Sequence, residues 1–346
     1  MQMRFCHDSL SQGRCRGASL QNDCTIQIRD LQRGKNLVKN WQKGALGGVA
    51  VAGVILGMAQ AQGTGLTSWK SGLNHDRIIQ IQNEGGTREA ADGVEVSYYS
   101  NSSFRVVSPR GISIIVDPWR NDPSGAWGLW YHVEYPAAEV DIGMSTHAHF
   151  DHDALDKIDA NMLLDRMGGQ FELGDVKITG IADKHQCVAP GLIPWTEAVK
   201  QFEGRDDPCV DNFRHMDNTI YLIETGGLRL LMWGDNRPEA PDEIFERIGD
   251  VDVVFVPVDG SKHILDYKQA DSIVARTKAN IAIPHHYLVP ETTYFTSTLL
   301  PATEWAETHE HTMLDAPSVT ITAADVAGKE GHVYYFGSHN LVTAEK

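Results

Sequence analysis

From Val94 onward the chain reads as strands. Val94-Glu95-Val96-Ser97-Tyr98 alternates apolar and polar residues, the period of a strand with one buried face. Phe104-Arg105-Val106-Val107 and Ile112-Ser113-Ile114-Ile115-Val116 flank Ser108-Pro109-Arg110-Gly111, whose Pro and Gly favour a turn. The pair predicts a hairpin that ends at Asp117-Pro118. An aromatic stretch follows (Trp119, Trp127, Trp130, Tyr131), then Val140 to Ser145, a run that predicts a mostly buried strand. Beyond it, Asp153-Ala154-Leu155-Asp156-Lys157-Ile158 with Met162 carries apolar residues at helical spacing, so a helix is expected there. Val176 to Ile181 reads as another strand. The second half repeats the order. Thr219 to Glu224 and Leu228 to Trp233 flank Gly226-Gly227, a second hairpin signal, and end at Gly234-Asp235. Val251 to Val256 echoes the earlier buried strand, Tyr267 to Thr277 predicts a helix, and Ile281-Ala282-Ile283-Pro284 runs into His285-His286-Tyr287. Two halves of hairpin, strand and helix suit two sheets packed face to face with helices outside.

The pattern differs upstream. Residues 62–92 are rich in Gly and polar residues, with a short helix expected around Asn74 to Asn83. They read as a linker and appended surface segment ahead of one domain over 93–346. Ala45 to Met58 is an apolar run, too short for a comfortable membrane span. Lys35, Lys39 and Lys43 precede it and Ala59-Gln60-Ala61 follows it, so 37–61 has the layout of a signal peptide cleaved before Gln62. Residues 1–36 are polar, without a clear period, and hold Cys6, Cys15 and Cys24. They read as an extension ahead of a true start near Leu37 or Val38; the alternative is an uncleaved amino-terminal anchor. The expected location is periplasmic or secreted, with no stable membrane span in the mature chain.

Composition changes the picture at one point. Across 346 residues the formal charge is −16, which argues against a nucleic-acid partner and is neutral about small substrates. Residues 1–61 hold eight Lys/Arg against three Asp/Glu, and the remainder holds 22 against 43, so the basic residues concentrate ahead of the cleavage site. The sequence carries no signal for oligomeric state.

The chemistry concentrates in Ser145-Thr146-His147-Ala148-His149-Phe150-Asp151-His152. Neutral imidazole and carboxylate are ligands for zinc and similar metals. On a helix His147 and His149 would point to nearly opposite sides; on an extended segment they share a face with Asp151. His152 must point elsewhere, which suits a second metal beside the first. A polar loop that happens to be rich in His is the plain alternative, and four ligand-type residues in this order at a strand end weigh against it.

Thr146-His147-x-His149-x-Asp151-His152 resembles the signature of the metallo-β-lactamase superfamily. The resemblance implies a four-layer αββα sandwich with a metal site, often binuclear, at one edge of the two sheets. Three later positions fit the order of that superfamily: His185, Asp235 in Trp233-Gly234-Asp235, and His286 in Pro284-His285-His286-Tyr287. The Pro-x-His-Tyr form resembles the branch that includes ascorbate-6-phosphate lactonase and a phospholipase D acting on N-acylphosphatidylethanolamine. His285 competes with His286 for the last place, and the pattern favours His286. By resemblance, His147, His149 and His185 hold one metal, Asp151, His152 and His286 hold the other, and Asp235 bridges them. The cofactors implied are two divalent ions: zinc first, with manganese or iron compatible with a site rich in His and carboxylate. The implied reaction is hydrolysis of an ester, lactone or phosphodiester through a metal-bound hydroxide, with Asp151 as the catalytic carboxylate. Asp235 weighs against a true β-lactamase, where Cys or Ser usually stands at the equivalent position. The substrate class is a small molecule or a lipid-like molecule. Asp117 is either a carboxylate behind the ligands or a turn cap.

Two other function classes remain on the same fold. A di-iron oxidoreductase would commonly replace a His of the signature with a carboxylate, and here the His set is complete. A non-catalytic metal-binding protein would usually close one metal with four protein ligands. His215, ahead of the second hairpin, and His263, after the strand ending at Val258, could face the site but read first as surface or structural residues, and His332 and His339 carry no spacing signal. His309 and His311 form a second His-x-His that no Asp-His follows and no apolar strand precedes, so a polar surface segment is expected. Once 1–61 is removed, Cys187 and Cys209 are the remaining cysteines. In an exported chain such a pair is expected to form a disulfide closing a loop over the metal site, with two unpaired thiols as the alternative.

Overall fold

A computed structural model describes residues 73–186, 200, 216–260, 264–294, 297 and 299–344. The expected signal segment and the residues before it, Cys187, Cys209, His215 and His263 lie outside the described residues. After helix α1 (Leu73–Glu84) come β1 (Val94–Tyr98), β2 (Phe104–Val107), β3 (Ser113–Val116), β4 (Ala138–Ser145), β5 (Ile158–Asp165), β6 (Gly169–Leu173) and β7 (Val176–Asp183). The second part runs β8 (Asn218–Thr225), β9 (Leu228–Met232), α2 (Asp242–Ile248), β10 (Val253–Pro257), α3 (Tyr267–Thr277) and β11 (Ile281–His285). It closes with α4 (Thr303–Glu307), β12 (His311–Met313), β13 (Ser318–Ile321), α5 (Ala323–Val326), β14 (His332–Tyr335) and α6 (Leu341–Ala344).

The strands form two mixed sheets. One has the order β13-β1-β2-β3-β4-β5 and the other β12-β14-β11-β10-β9-β8-β7-β6. A single large apolar cluster joins them: Val94, Val96, Ile114, Val116, Ile142 and Met144 from the first meet Ile220, Leu230, Val254, Phe255 and Ile283 from the second. Central β10 and β11 are buried along their whole length, so their sequences read as apolar runs rather than alternations. This is the αββα sandwich. Helix α3 covers the second sheet; it has the bounds expected from periodicity, with Asp266 as N-cap in a capping box with Gln269.

Two expectations need correction. The helix expected after Asp153 is one 3-10 turn, Leu155–Lys157, and the chain then enters β5. The apolar spacing there serves a strand instead, since β5 pairs parallel with β4 from Ala138↔Ile158 to Ser145↔Asp165. The connection through the His-rich loop is thus short. The outer face of this sheet is covered by a second cluster, in which the aromatic loop (Trp119, Trp130, Tyr131, Tyr135) and Val342 of α6 pack on Ile115, Val140 and Ile158. The alternation along β3 shows the division: Ile114 and Val116 face the inner core and Ile115 the outer one. Finally, α1 is more than an appended surface segment. Its Ile81 is 1% exposed in the main core, a burial worth about 1.5–3 kcal/mol.

Candidate metal centre

Both sheets bring the carboxyl ends of parallel strands to one place. β3 and β4 are parallel, as are β9, β10 and β11. Open α/β sheets place ligands beyond such ends. Here Asp117 follows β3, His147 to His152 follow β4, Asp235 follows β9, Asp259 follows β10, and His286 follows β11.

The loop after β4 is held by its own polar groups. Ser145 Oγ donates to the carbonyl of His147 at 2.8 Å. Asp117, 2% exposed, accepts from Thr146 N–H at 2.7 Å and Thr146 Oγ1 at 2.8 Å. It therefore caps the turn, and its Oδ2 also lies 2.8 Å from His152 Nδ1. A carboxylate there fixes the ring and sends Nε2 the other way. That nitrogen lies 3.3 Å from Asp235 Oδ2 and 3.6 Å from Asp151 Oδ2.

Asp235 stands at the middle. Its Oδ2 is 3.9 Å from His147 Nε2, 3.7 Å from His185 Nε2 and 3.3 Å from both His152 Nε2 and His286 Nε2. Gly234 makes this approach possible. Its φ of +61° suits glycine, and a Cβ would sit 2.9 Å from Thr146 Cβ. His185 follows β7 and forms a bridge with Asn236. Its Nδ1 donates to the carbonyl of Gln186 at 2.7 Å, which fixes the ring with Nε2 turned to the cluster.

His285 and His286 part company. His286 has a φ of 61°, which turns the chain out of β11, and its N–H donates to the carbonyl of Asn101 at 2.9 Å. Its Nε2 reaches Asp151 Oδ2 at 3.2 Å. His285 stays in the strand and pairs with Ser102 Oγ at 3.0 Å, away from the cluster. Asn101 ties the two loops together, because its side chain also donates to the carbonyl of Asp151 at 3.2 Å. Asp259, fully buried, lies 3.8 Å from His286 Nδ1 and accepts from Ile264 N–H at 2.6 Å.

Three sets of ligand atoms converge, each within 4.8 Å: His147, His149 and His185; His147, His152 and Asp235; Asp151, His152 and His286. Nitrogen and carboxylate oxygen are donors for divalent first-row metals. Buried Nε2 of His152 and Oδ1 of Asp235 have no hydrogen-bond partner. Buried polar atoms are rarely left so, and a cation among them would satisfy both. The residues present therefore fit a metal.

Charge divides the centre into two sides. Burial, then the neighbouring His152, His149 and His185, pushes His147 well below the ordinary imidazole range. Burial and His185 push His149 down to about 3. For His152 burial acts downward too, but Asp235, Asp151 and Asp117 together raise it well above the ordinary value. His286 likewise overcomes burial and is lifted to about 10 by Asp235, Asp151 and Asp259. Burial would raise Asp151 and Asp235, yet the imidazoles of His152 and His286 hold both low.

The other histidines stay apart. His309 packs on the Trp305 ring, 4.5 Å between centroids, with Nε2 3.2 Å from Asp271. His311 opens β12 with its Nδ1 on the carbonyl of His309. His332 pairs with Thr312, and His339 is exposed. Asn101 and Asp259 were not singled out from sequence. Asp259 had a signal: like Asp117 and Asp235 it is the Asp just past a strand end. Asn101 sits in Ser100-Asn101-Ser102-Ser103, which reads as an ordinary polar turn and is instead buried.

The sequence pattern of the beta-lactamase superfamily domain matches residues 95–286. A UPF0173 metal-dependent hydrolase of Koribacter versatilis is 24% identical over 219 residues, covering 56% of this chain and 84% of the relative. A UPF0173 metal-dependent hydrolase of Myxococcus xanthus is 34% identical over 203 residues, 56% of this chain and 70% of the relative. Among solved structures, a metallo-beta-lactamase superfamily protein of Thermotoga maritima aligns with a TM-score of 0.49 and 19% identity, over 70% of this chain and 98% of that one.

Proposed function

This chain is a metal-dependent hydrolase of the beta-lactamase superfamily, and we propose that it works with two divalent metal ions on an ester, lactone or phosphodiester. The observation that carries the reading is Asp235 Oδ2, placed within 3.9 Å of four imidazole nitrogens that span the three converging ligand sets. His147, His149 and His185 would hold one ion, Asp151, His152 and His286 the other, and Asp235 would serve both. Zinc suits this donor set, with manganese or iron as the other candidates. Such ions polarise a carbonyl or phosphoryl oxygen and make water acidic enough to attack near neutral pH.

The chain's own groups do the rest. Asp151 faces the cavity and is the carboxylate that can orient an attacking water, take its proton and return it to the leaving oxygen. His286 and His152 keep that carboxylate ionised, as the base role requires. Asp117 holds the ring of His152 against rotation, and Asp259 places a second carboxylate 3.8 Å behind the ring of His286. Asn101 holds the Asp151 and His286 backbones at a fixed separation.

Export belongs to the same proposal: cleavage before Gln62 would leave a periplasmic or secreted enzyme, with Cys187 and Cys209 paired. Among the described residues no helix is long and apolar enough to cross a membrane. The test of function is metal analysis of the purified protein together with assays on model esters, lactones and bis-p-nitrophenyl phosphate. Hydrolysis that a chelator abolishes and added metal restores is the expected result; a metal-loaded protein inert on every class would remove the reading. The mass of the amino terminus from the native host tests export.

A further inference from the structure

The cavity above the centre has a volume of about 310 Å³, at the small end for ligand sites. His149, Asp151 and Asp235 are its floor, and Trp127, Trp130 and Phe150 are among its walls. The Trp130 and Phe150 rings meet edge to face at 5.3 Å. The loop bearing both tryptophans is pinned by side chains: Asn121 Oδ1 accepts from the N–H of Trp130 and of Tyr131, and Asp122 Oδ2 from that of Trp127. The wall is therefore built before a substrate arrives, and it is aromatic.

The charges around the mouth are committed. Among the described residues, Arg120 is the one Lys or Arg in the lining of this cavity. Its two terminal nitrogens lie 2.9 Å from Asp153 and 2.9 Å from Asp156. Asp122 is ionised, its hydrogen bonds from Ser124 and Trp127 outweighing what burial it has. Outside the metal ligands, the described lining thus carries two carboxylates, Asp122 and Asp153, beside one guanidinium. An anionic group carried away from the scissile bond would meet no uncommitted Lys or Arg among the described residues of the lining.

We infer that the substrate is an uncharged ester or lactone carrying an aryl or comparably flat apolar group, seated against Trp127 and Phe150. The inference rests on the reading of this centre as hydrolytic. It narrows that reading, because it sets aside substrates with a remote negative charge.

The test uses the metal-loaded, full-length protein in two arms. In the first, kcat/KM is compared for phenyl acetate and 4-carboxyphenyl acetate, which share a scissile bond; the carboxylated phenolate is no worse a leaving group. The carboxylate should lower kcat/KM by about tenfold at low salt, and 1 M NaCl should close most of that difference. Trp127→Ala should raise KM for dihydrocoumarin by about tenfold with kcat within about twofold. In the second arm, binding of the lactam analogue of dihydrocoumarin, which is not cleaved, is measured by calorimetry. Trp127→Ala should weaken it by the same factor. Equal or faster turnover of the carboxylated ester, or a Trp127→Ala protein with unchanged KM and unchanged lactam affinity, overturns the inference. Lactam binding lost in Trp127→Ala, with none of the esters or lactones hydrolysed, would support the pocket assignment while removing the hydrolytic reading.

Discussion

Two segments of this chain place histidines two residues apart, and they meet opposite surroundings. His147 and His149 follow a strand that is buried over its last six residues, and they face His185 and Asp235 from the other sheet. His309 and His311 follow a five-residue helix, at the exposed edge of β12, and turn to Trp305, Asp271 and main-chain carbonyls. Spacing alone is the same in both. What differs is whether a second sheet presents donors to the same point. The comparison repeats at closer range in His285 and His286: both are buried, one ends a strand facing Ser102, and the other is turned by a left-handed backbone into three carboxylates.

The largest effect should come from the first pair. His147→Ala is expected to lower kcat/KM by at least about a thousandfold, as loss of a metal ligand does at a hydrolytic centre. His309→Ala and His311→Ala should stay within about twofold on the same substrates. A comparable loss in the His309 variant would show that spacing, rather than surroundings, carries the function.

Next come the neighbours. His286→Ala should cost activity about a hundredfold or more and release metal. His285→Ala should keep its metal and lose about 1–3 kcal/mol of stability through Ser102 and the vacated space. Metal lost from the His285 variant alone would reverse the assignment. Asn101→Ala should weaken metal binding by about 10–100-fold while leaving every ligand in place; unchanged affinity would show that the two loops hold their positions without it.

Much of this was legible in the residues. The hairpins, the two buried strands at Val140 and Val251 and α3 followed from period and turn chemistry, and the Thr-His-x-His-x-Asp-His order marked the first loop. The helix expected after Asp153 failed because Leu155, Ile158 and Met162 fit both periods. Which period wins depends on β4 lying alongside as a parallel partner, a contact that no local window contains. The role of Asn101 was hidden for a similar reason. A Ser-Asn-Ser-Ser turn looks solvated until two other loops close over it.

A smaller effect sharpens the division within the centre. Without metal, His152 and His286 hold their protons through neutral pH, His286 up to about 10. These raised groups contribute stability below the unfolded value near 6.5, and that stability is lost as pH rises through their folded values. Metal-free protein should therefore melt at a lower temperature at pH 10 than at pH 6.5. Metal must displace those protons, so uptake at pH 7 should release about two of them, read by calorimetry in buffers of different ionisation enthalpy. Uptake without proton release would contradict the split between the two sides.

The most direct test of the whole account is metal stoichiometry in wild-type protein beside Asp235→Ala, measured by elemental analysis after dialysis. The account predicts close to two metals per chain in the first and the loss of at least one, with nearly all hydrolysis, in the second. One metal in both proteins, or two retained with full activity in Asp235→Ala, would contradict a centre in which that carboxylate serves two ions.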